Sequence, residues 1–83
     1  MAHARLEAVT RADVVRASKH TTPKRIQKWS VVVEGKEVPV KQILMAAANA
    51  IRSSAPRVTP ADFTAHYAVS RLKLLGFTVR YSE

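Results

Sequence analysis

Only two of the chain's 83 residues are glycine, Gly35 and Gly76, so the polypeptide has few places to reverse direction without steric penalty. Each marks a boundary between two kinds of sequence. Gly35 interrupts a stretch rich in β-branched residues: Trp29-Ser30-Val31-Val32-Val33 precedes Glu34-Gly35-Lys36-Glu37, and Val38-Pro39-Val40 follows. This pattern predicts a β-hairpin with a glycine turn. Pro39 has no amide to donate to a ladder, which makes the second strand short and places it at an edge. Gly76 follows a helix-favouring stretch from Ala65 to Leu75 and ends it as glycine commonly ends helices. The alternating Phe77-Thr78-Val79-Arg80-Tyr81 then reads as a final strand.

The helices announce their own starts. In Thr10-Arg11-Ala12-Asp13 the threonine oxygen can accept an early helix amide while the aspartate reaches back to the cap amide, so a first helix is predicted from about Arg11 to Lys19. Residues 1–9 are expected to form a flexible lead. Thr59-Pro60-Ala61-Asp62 repeats the same chemistry with proline at the first helical position. Between the hairpin and this second box, Lys41 to about Arg52 is rich in alanine and places Val40, Leu44, Ala47, Ala48 and Ile51 on one side. Phe63 is expected to plug the core, and Thr64 to cap the last helix, whose inner stripe is Ala65, Ala68, Val69, Leu72 and Leu75. Thr22-Pro23 breaks the first helix and is expected to restart a single turn through Lys24, Arg25 and Ile26. The fold class that results is α+β: a small winged-helix-like domain over residues 10–83, in the order helix, β-hairpin, helix, turn and helix, C-terminal strand.

A chain of this length has room for one domain and buries only about 60% of its unfolded surface, so its apolar elements must share one core. There is no cysteine, which excludes disulfides and thiolate zinc sites. No apolar run is long enough to cross a bilayer and no leader pattern opens the chain, so a cytoplasmic protein without membrane association is expected. The three histidines, His3, His20 and His66, lie far apart, and two isolated glycines cannot form a phosphate-cradling loop. No nucleophile, base and stabiliser can be assembled into one site, so neither catalysis, metal nor cofactor is expected.

Charge supplies the positive indication. Fourteen Lys and Arg against six Asp and Glu give +8, more than solubility alone usually needs, and a polyanion is the natural partner. The excess is greatest in residues 1–29, with seven bases and two acids. A short capped helix that follows another across a turn and leads into a strand has the layout of a helix-turn-helix or winged-helix reader. Its outward residues would be Thr64, His66, Tyr67, Ser70 and Arg71, with Lys73 at the flank. Arg71 could grip guanine or a phosphate, and the hydroxyls could donate to backbone oxygens. Lys36 at the hairpin tip, and Lys41 with Gln42 at the start of the next helix, are further candidates for phosphate contact. Lys24, Arg25 and Lys28 resemble a basic arm. The alternatives are ordinary ones: solvated helix faces, and local charge balance for Lys36 between Glu34 and Glu37. Trp29 reads as core or strand packing, with stacking on a base as the alternative for an indole beside a basic cluster.

With these pieces in order, the chain resembles the small N-terminal head domain of McrA-type, modification-dependent HNH restriction endonucleases, and similar short actinobacterial proteins. The matching elements are Thr10-Arg11-Ala12-Asp13-Val14, Gly35-Lys36, Lys41 and Ile43, Thr59-Pro60-Ala61-Asp62-Phe63, Ala68-Val69, Arg71-Leu72 and Leu75-Gly76-Phe77. The resemblance implies a DNA-associated module, with Lys36, Lys41 and Arg71 as the matched positions. The stretch from Lys19 to Lys28 is shorter and more basic than in that family, and the larger proteins' endonuclease activity is not carried over.

The expected function is therefore a non-enzymatic DNA-binding module, meeting duplex in preference to single strands or RNA. It would act as a small regulator, a chromosome-associated protein or part of a defence system. The alternative is an interaction adaptor or homodimerisation domain, in which Met45 and Leu74 belong to an apolar patch that meets an acidic partner or a second copy.

Overall fold

Helix α2 (Arg11–His20) begins where the first capping box predicts. The Thr10 amide donates to Asp13 Oδ2 at 2.9 Å, and the Asp13 amide donates to Thr10 Oγ1 at 3.3 Å. In the computed structural model, which describes residues 4–22, 28–52 and 54–81, the chain forms an α+β domain. Its order is α1 (Ala4–Ala8), α2, β1 (Trp29–Val33), β2 (Lys36–Pro39), α3 (Val40–Asn49), a 3-10 turn (Pro60–Asp62), α4 (Ala65–Leu74) and β3 (Thr78–Tyr81). The three strands form one antiparallel sheet in the order β2-β1-β3, so the Pro39 strand is indeed an edge.

The hairpin closes through two residues, Glu34 and Gly35, with Val33 opposite Lys36. Both have positive φ, 51° and 75°, the backbone of a type I′ turn whose twist matches the strands it joins. Alternation along β1 then sends Trp29, Val31 and Val33 to one side of the sheet. Val31 and Val33 are fully buried there, with Val38 from β2. Trp29, at the end of the strand, is half-buried and faces Tyr81 across the β1–β3 pair.

Helices α3 and α4 supply the rest of that core through Ile43, Leu44, Ala47 and Ala48, and through Ala68, Val69 and Leu72. Ile43 joins the stripe that the sequence assigned to its neighbours. Phe63 is buried between the 3-10 turn and α4, as predicted. α4 ends in a Schellman motif: the Phe77 amide donates to Leu72 O at 3.1 Å, the Gly76 amide donates to Lys73 O at 3.0 Å, and Gly76 takes φ 91°.

The amino-terminal expectation needs correction. Residues 4–9 are not a loose lead: α1 buries Leu6, Val9 follows it into the core, and the Arg5 side chain is itself buried. The physical reason is Arg5, whose Nη1 donates to Ile51 O at 2.7 Å and Ala48 O at 3.3 Å, and whose Nε donates to Ala55 O and Pro56 O at 3.0 and 3.1 Å. One guanidinium thus binds the end of α3 and the loop beyond it to α1. The predicted turn through Lys24, Arg25 and Ile26 lies outside the described residues.

Among the described residues no helix is long and apolar enough to cross a membrane.

Candidate nucleic-acid interface

The last carbonyls of a helix have no partner within it and carry the negative end of its dipole, so they favour a cation. Each of the four α-helices among the described residues receives one from a distant part of the chain. Arg71 Nη2 donates to Glu7 O at 2.7 Å and Val9 O at 3.3 Å, at the end of α1. Lys36 Nζ donates to Ser18 O and Thr21 O at 3.0 and 2.9 Å, at the end of α2. Arg5 serves α3, which has no basic residue in its own last turn. Arg11 Nη1 donates to Leu75 O at 2.9 Å, at the end of α4.

This arrangement changes the standing of two sequence-predicted contacts. Arg71 does not project from the outer face of α4: its guanidinium turns toward the α1–α2 junction, and its Nε is buried without a partner. Its position on the helix flank, beside the carbonyls at the end of α1, draws it inward. Lys36 likewise reaches back from the hairpin tip, because the exposed end of α2 lies within reach of its stem. Sequence spacing could not reveal either role, since the carbonyls concerned are 15 to 64 residues away.

The other candidates separate into two groups. Thr64 caps α4, accepting from the Tyr67 amide at 3.1 Å. Tyr67 is half-buried with its ring edge-on to Phe63, centroids 6.3 Å apart, whereas His66, Ser70 and Lys73 are exposed along the helix. Lys28, Lys41, Gln42 and His66, from three separate segments, line a single cleft of about 600 Å³ with Trp29 and Met45. Lys24 and Arg25 lie outside the described residues.

The cleft opens where the amino-terminal ends of α3 and α4 meet the start of β1. Lys41 Nζ donates to Pro60 O at 2.8 Å and sits 5.0 Å from the centre of the Phe63 ring, while Gln42 Nε2 donates to Thr22 O at 2.8 Å. Lys28 is exposed and makes neither hydrogen bond nor ion pair with a described residue. A second hollow, of about 340 Å³, shares Lys28, Trp29 and His66 with the first and ends at Tyr81. Among the described residues, neither has an acidic side chain in its lining. Tyr81 was not among the sequence candidates; the signal available was its predicted place in a strand beside a tryptophan strand.

The loop from α3 to α4 is held by Asn49, which imitates a strand partner: its Nδ2 donates to Val58 O at 3.0 Å, and its Oδ1 accepts from the Val58 amide at 2.7 Å. This fixes the 3-10 turn that forms one wall of the cleft. Elsewhere Lys19, Arg52, Arg57 and Lys73 have no hydrogen bond or ion pair with a described residue. Arg16 and Arg80 pair loosely with Asp13 and Glu37, at 3.8 and 3.4 Å. Among the described residues no three of His, Asp or Glu gather as a metal-binding group. Comparison with family models, with curated proteins and with solved structures finds no match to this chain.

Proposed function

We propose that the protein is a non-enzymatic DNA-binding module whose contact surface runs from the cleft at the head of α3 and α4 along the exposed side of α4. The observation that carries this reading is the meeting of Lys28, Lys41, Gln42 and His66 around one cleft that no carboxylate lines among the described residues. Cations beside two helix amino-terminal ends favour phosphate, since the dipoles add to the side-chain charge. The net charge of +8 supports attraction to a polyanion over distance.

The docking is winged-helix-like in one respect: α4 offers Thr64, His66, Ser70 and Lys73 to the duplex while its apolar stripe stays on the core. The hairpin contributes less than such a wing usually does, because Lys36 is held on α2. The likeness to the head domain of the modification-dependent endonucleases is in keeping with this role, and a regulator, chromosome-associated protein or defence component would each use it.

A mixed-sequence duplex titrated at several salt concentrations tests the reading. Affinity should fall steeply with salt as counterions are released, and Lys28→Ala, Lys41→Ala and Lys73→Ala should each reduce the salt slope by about 1. Absence of duplex binding at low salt would remove it. The adaptor reading has one observation in its favour, the 78% exposure of Leu74. Met45, however, lines the cleft with His66 at the start of α4, and His66 lies about 12 Å along the helix axis from Leu74 at 1.5 Å per residue. A dimer in sedimentation equilibrium that Leu74→Lys abolishes would favour that role.

A further inference from the structure

Trp29, Tyr81 and His66 form an angular notch at the shared end of the two hollows. The Trp29 and Tyr81 ring centroids lie 4.6 Å apart at an interplanar angle of 59°, and those of Trp29 and His66 lie 6.1 Å apart at 63°. Neither neighbour lies flat against the indole. Tyr81 is 52% exposed although it ends a strand paired to β1, and Lys28 stands beside the notch with no partner among the described residues. Aromatic rings next to cations, with no acid among the described lining residues, suit a planar, electron-rich group that carries negative charge on a flexible tether.

We infer that this notch holds an unpaired base of single-stranded DNA, with the adjoining phosphates on Lys28 and Lys41. The inference rests on the DNA-binding reading and extends it from the duplex along α4 to an unpaired nucleotide at the notch. Base-paired duplex keeps its base faces stacked internally, so only an unpaired nucleotide can present one to Trp29. A base stacked on an aromatic side chain binds with little regard to sequence, because every base has a π-face. The cleft volume, about 600 Å³, lies in the range of about 300–1,000 Å³ usual for pockets that enclose small ligands. Charge complementarity selects the occupant: an acidic peptide would find the two lysines, but its carboxylates would leave the aromatic wall unused.

The test uses the intact protein and its only tryptophan, so that Trp29 emission reports directly on the notch. A 12-nucleotide oligothymidylate should bind and quench that emission, whereas a 12-base-pair duplex, whose base faces are stacked internally, should bind without quenching it. Tyr81→Leu and the exposed-site variant Lys28→Glu should each weaken oligothymidylate binding roughly tenfold, with thermal melts showing both folded. Duplex binding without quenching by the single strand would overturn the notch while leaving the DNA reading intact. Failure of both ligands to bind at low salt would remove both. Tighter binding of a 12-nucleotide oligouridylate than of oligothymidylate would overturn the assignment to DNA.

Discussion

Arg11 Nη1 donates to the carbonyl oxygen of Leu75, 64 residues away, at 2.9 Å. The same guanidinium lies 4.5 Å from the centre of the Phe77 ring, so one side chain joins the start of α2 to the end of α4 by a charged hydrogen bond and by stacking. Arg11→Ala should lower stability by about 1 kcal/mol, the usual net worth of a single hydrogen bond in partly solvated surroundings. Urea unfolding followed by circular dichroism measures it. An unchanged midpoint would show that the bond adds nothing beyond solvation.

Gly76 lies directly beneath that contact. A Cβ there would stand 2.8 Å from Arg11 Nη1, and the backbone has φ 91°, a conformation that side-chain-bearing residues rarely adopt. Gly76→Ala should cost about 1–2 kcal/mol from the left-handed backbone alone. It should also displace Arg11, so the double variant with Arg11→Ala should lose less than the two single losses together. Full additivity in a double-mutant cycle would mean that the arginine moves aside without losing its bond.

Arg71 separates a fold role from a binding role. Its guanidinium holds the α1–α2 junction, and its Ala variant should be less stable by about 1–2 kcal/mol. Measured where the variant is still fully folded, its DNA affinity should stay within twofold of the parent. A tenfold loss of affinity with unchanged stability would return Arg71 to the contact surface.

The elements were largely legible in the sequence, because their signals are local. Thr10 and Asp13, Glu34 and Gly35, Thr64, and Gly76 each act within a few residues, and the helices and strands they bound appear within three residues of the predicted limits. Helix α1 was missed because five residues carry too little periodicity to register, and its stability comes from Arg5 reaching 43 to 51 residues along the chain. The cations follow the same division. Their number is plain in the composition, but whether a lysine or arginine meets solvent or a helix end depends on tertiary approach. Lys28, Lys41, Gln42 and His66 come together for that reason, and Lys36 and Arg71 turn inward for the same one.

Arg5 gives the largest expected effect. It is buried, and four backbone carbonyls accept from it. Arg5→Met would keep the apolar stem and leave those acceptors short of a donor, which should cost about 2–4 kcal/mol. Amide hydrogen exchange locates the loss: the last turn of α3 and residues 54–58 should exchange faster, while the β1–β2 amides should follow only the global change. Uniform acceleration across the molecule would show that α1 has no local role.

Glu34 is the one described non-glycine residue with positive φ, 51°, at the first position of the type I′ turn. Asparagine tolerates this conformation far better than glutamate and is the residue most often found there, followed by glycine. Glu34→Asn should therefore stabilise the protein by about 0.5–1 kcal/mol, a rise of several degrees in Tm for a domain of this size. Glu34→Gln removes the same charge without relieving the backbone, so it separates the two effects. Equal stabilisation by both variants would assign the gain to reduced negative charge at the hairpin tip, and a gain confined to asparagine would assign it to the turn.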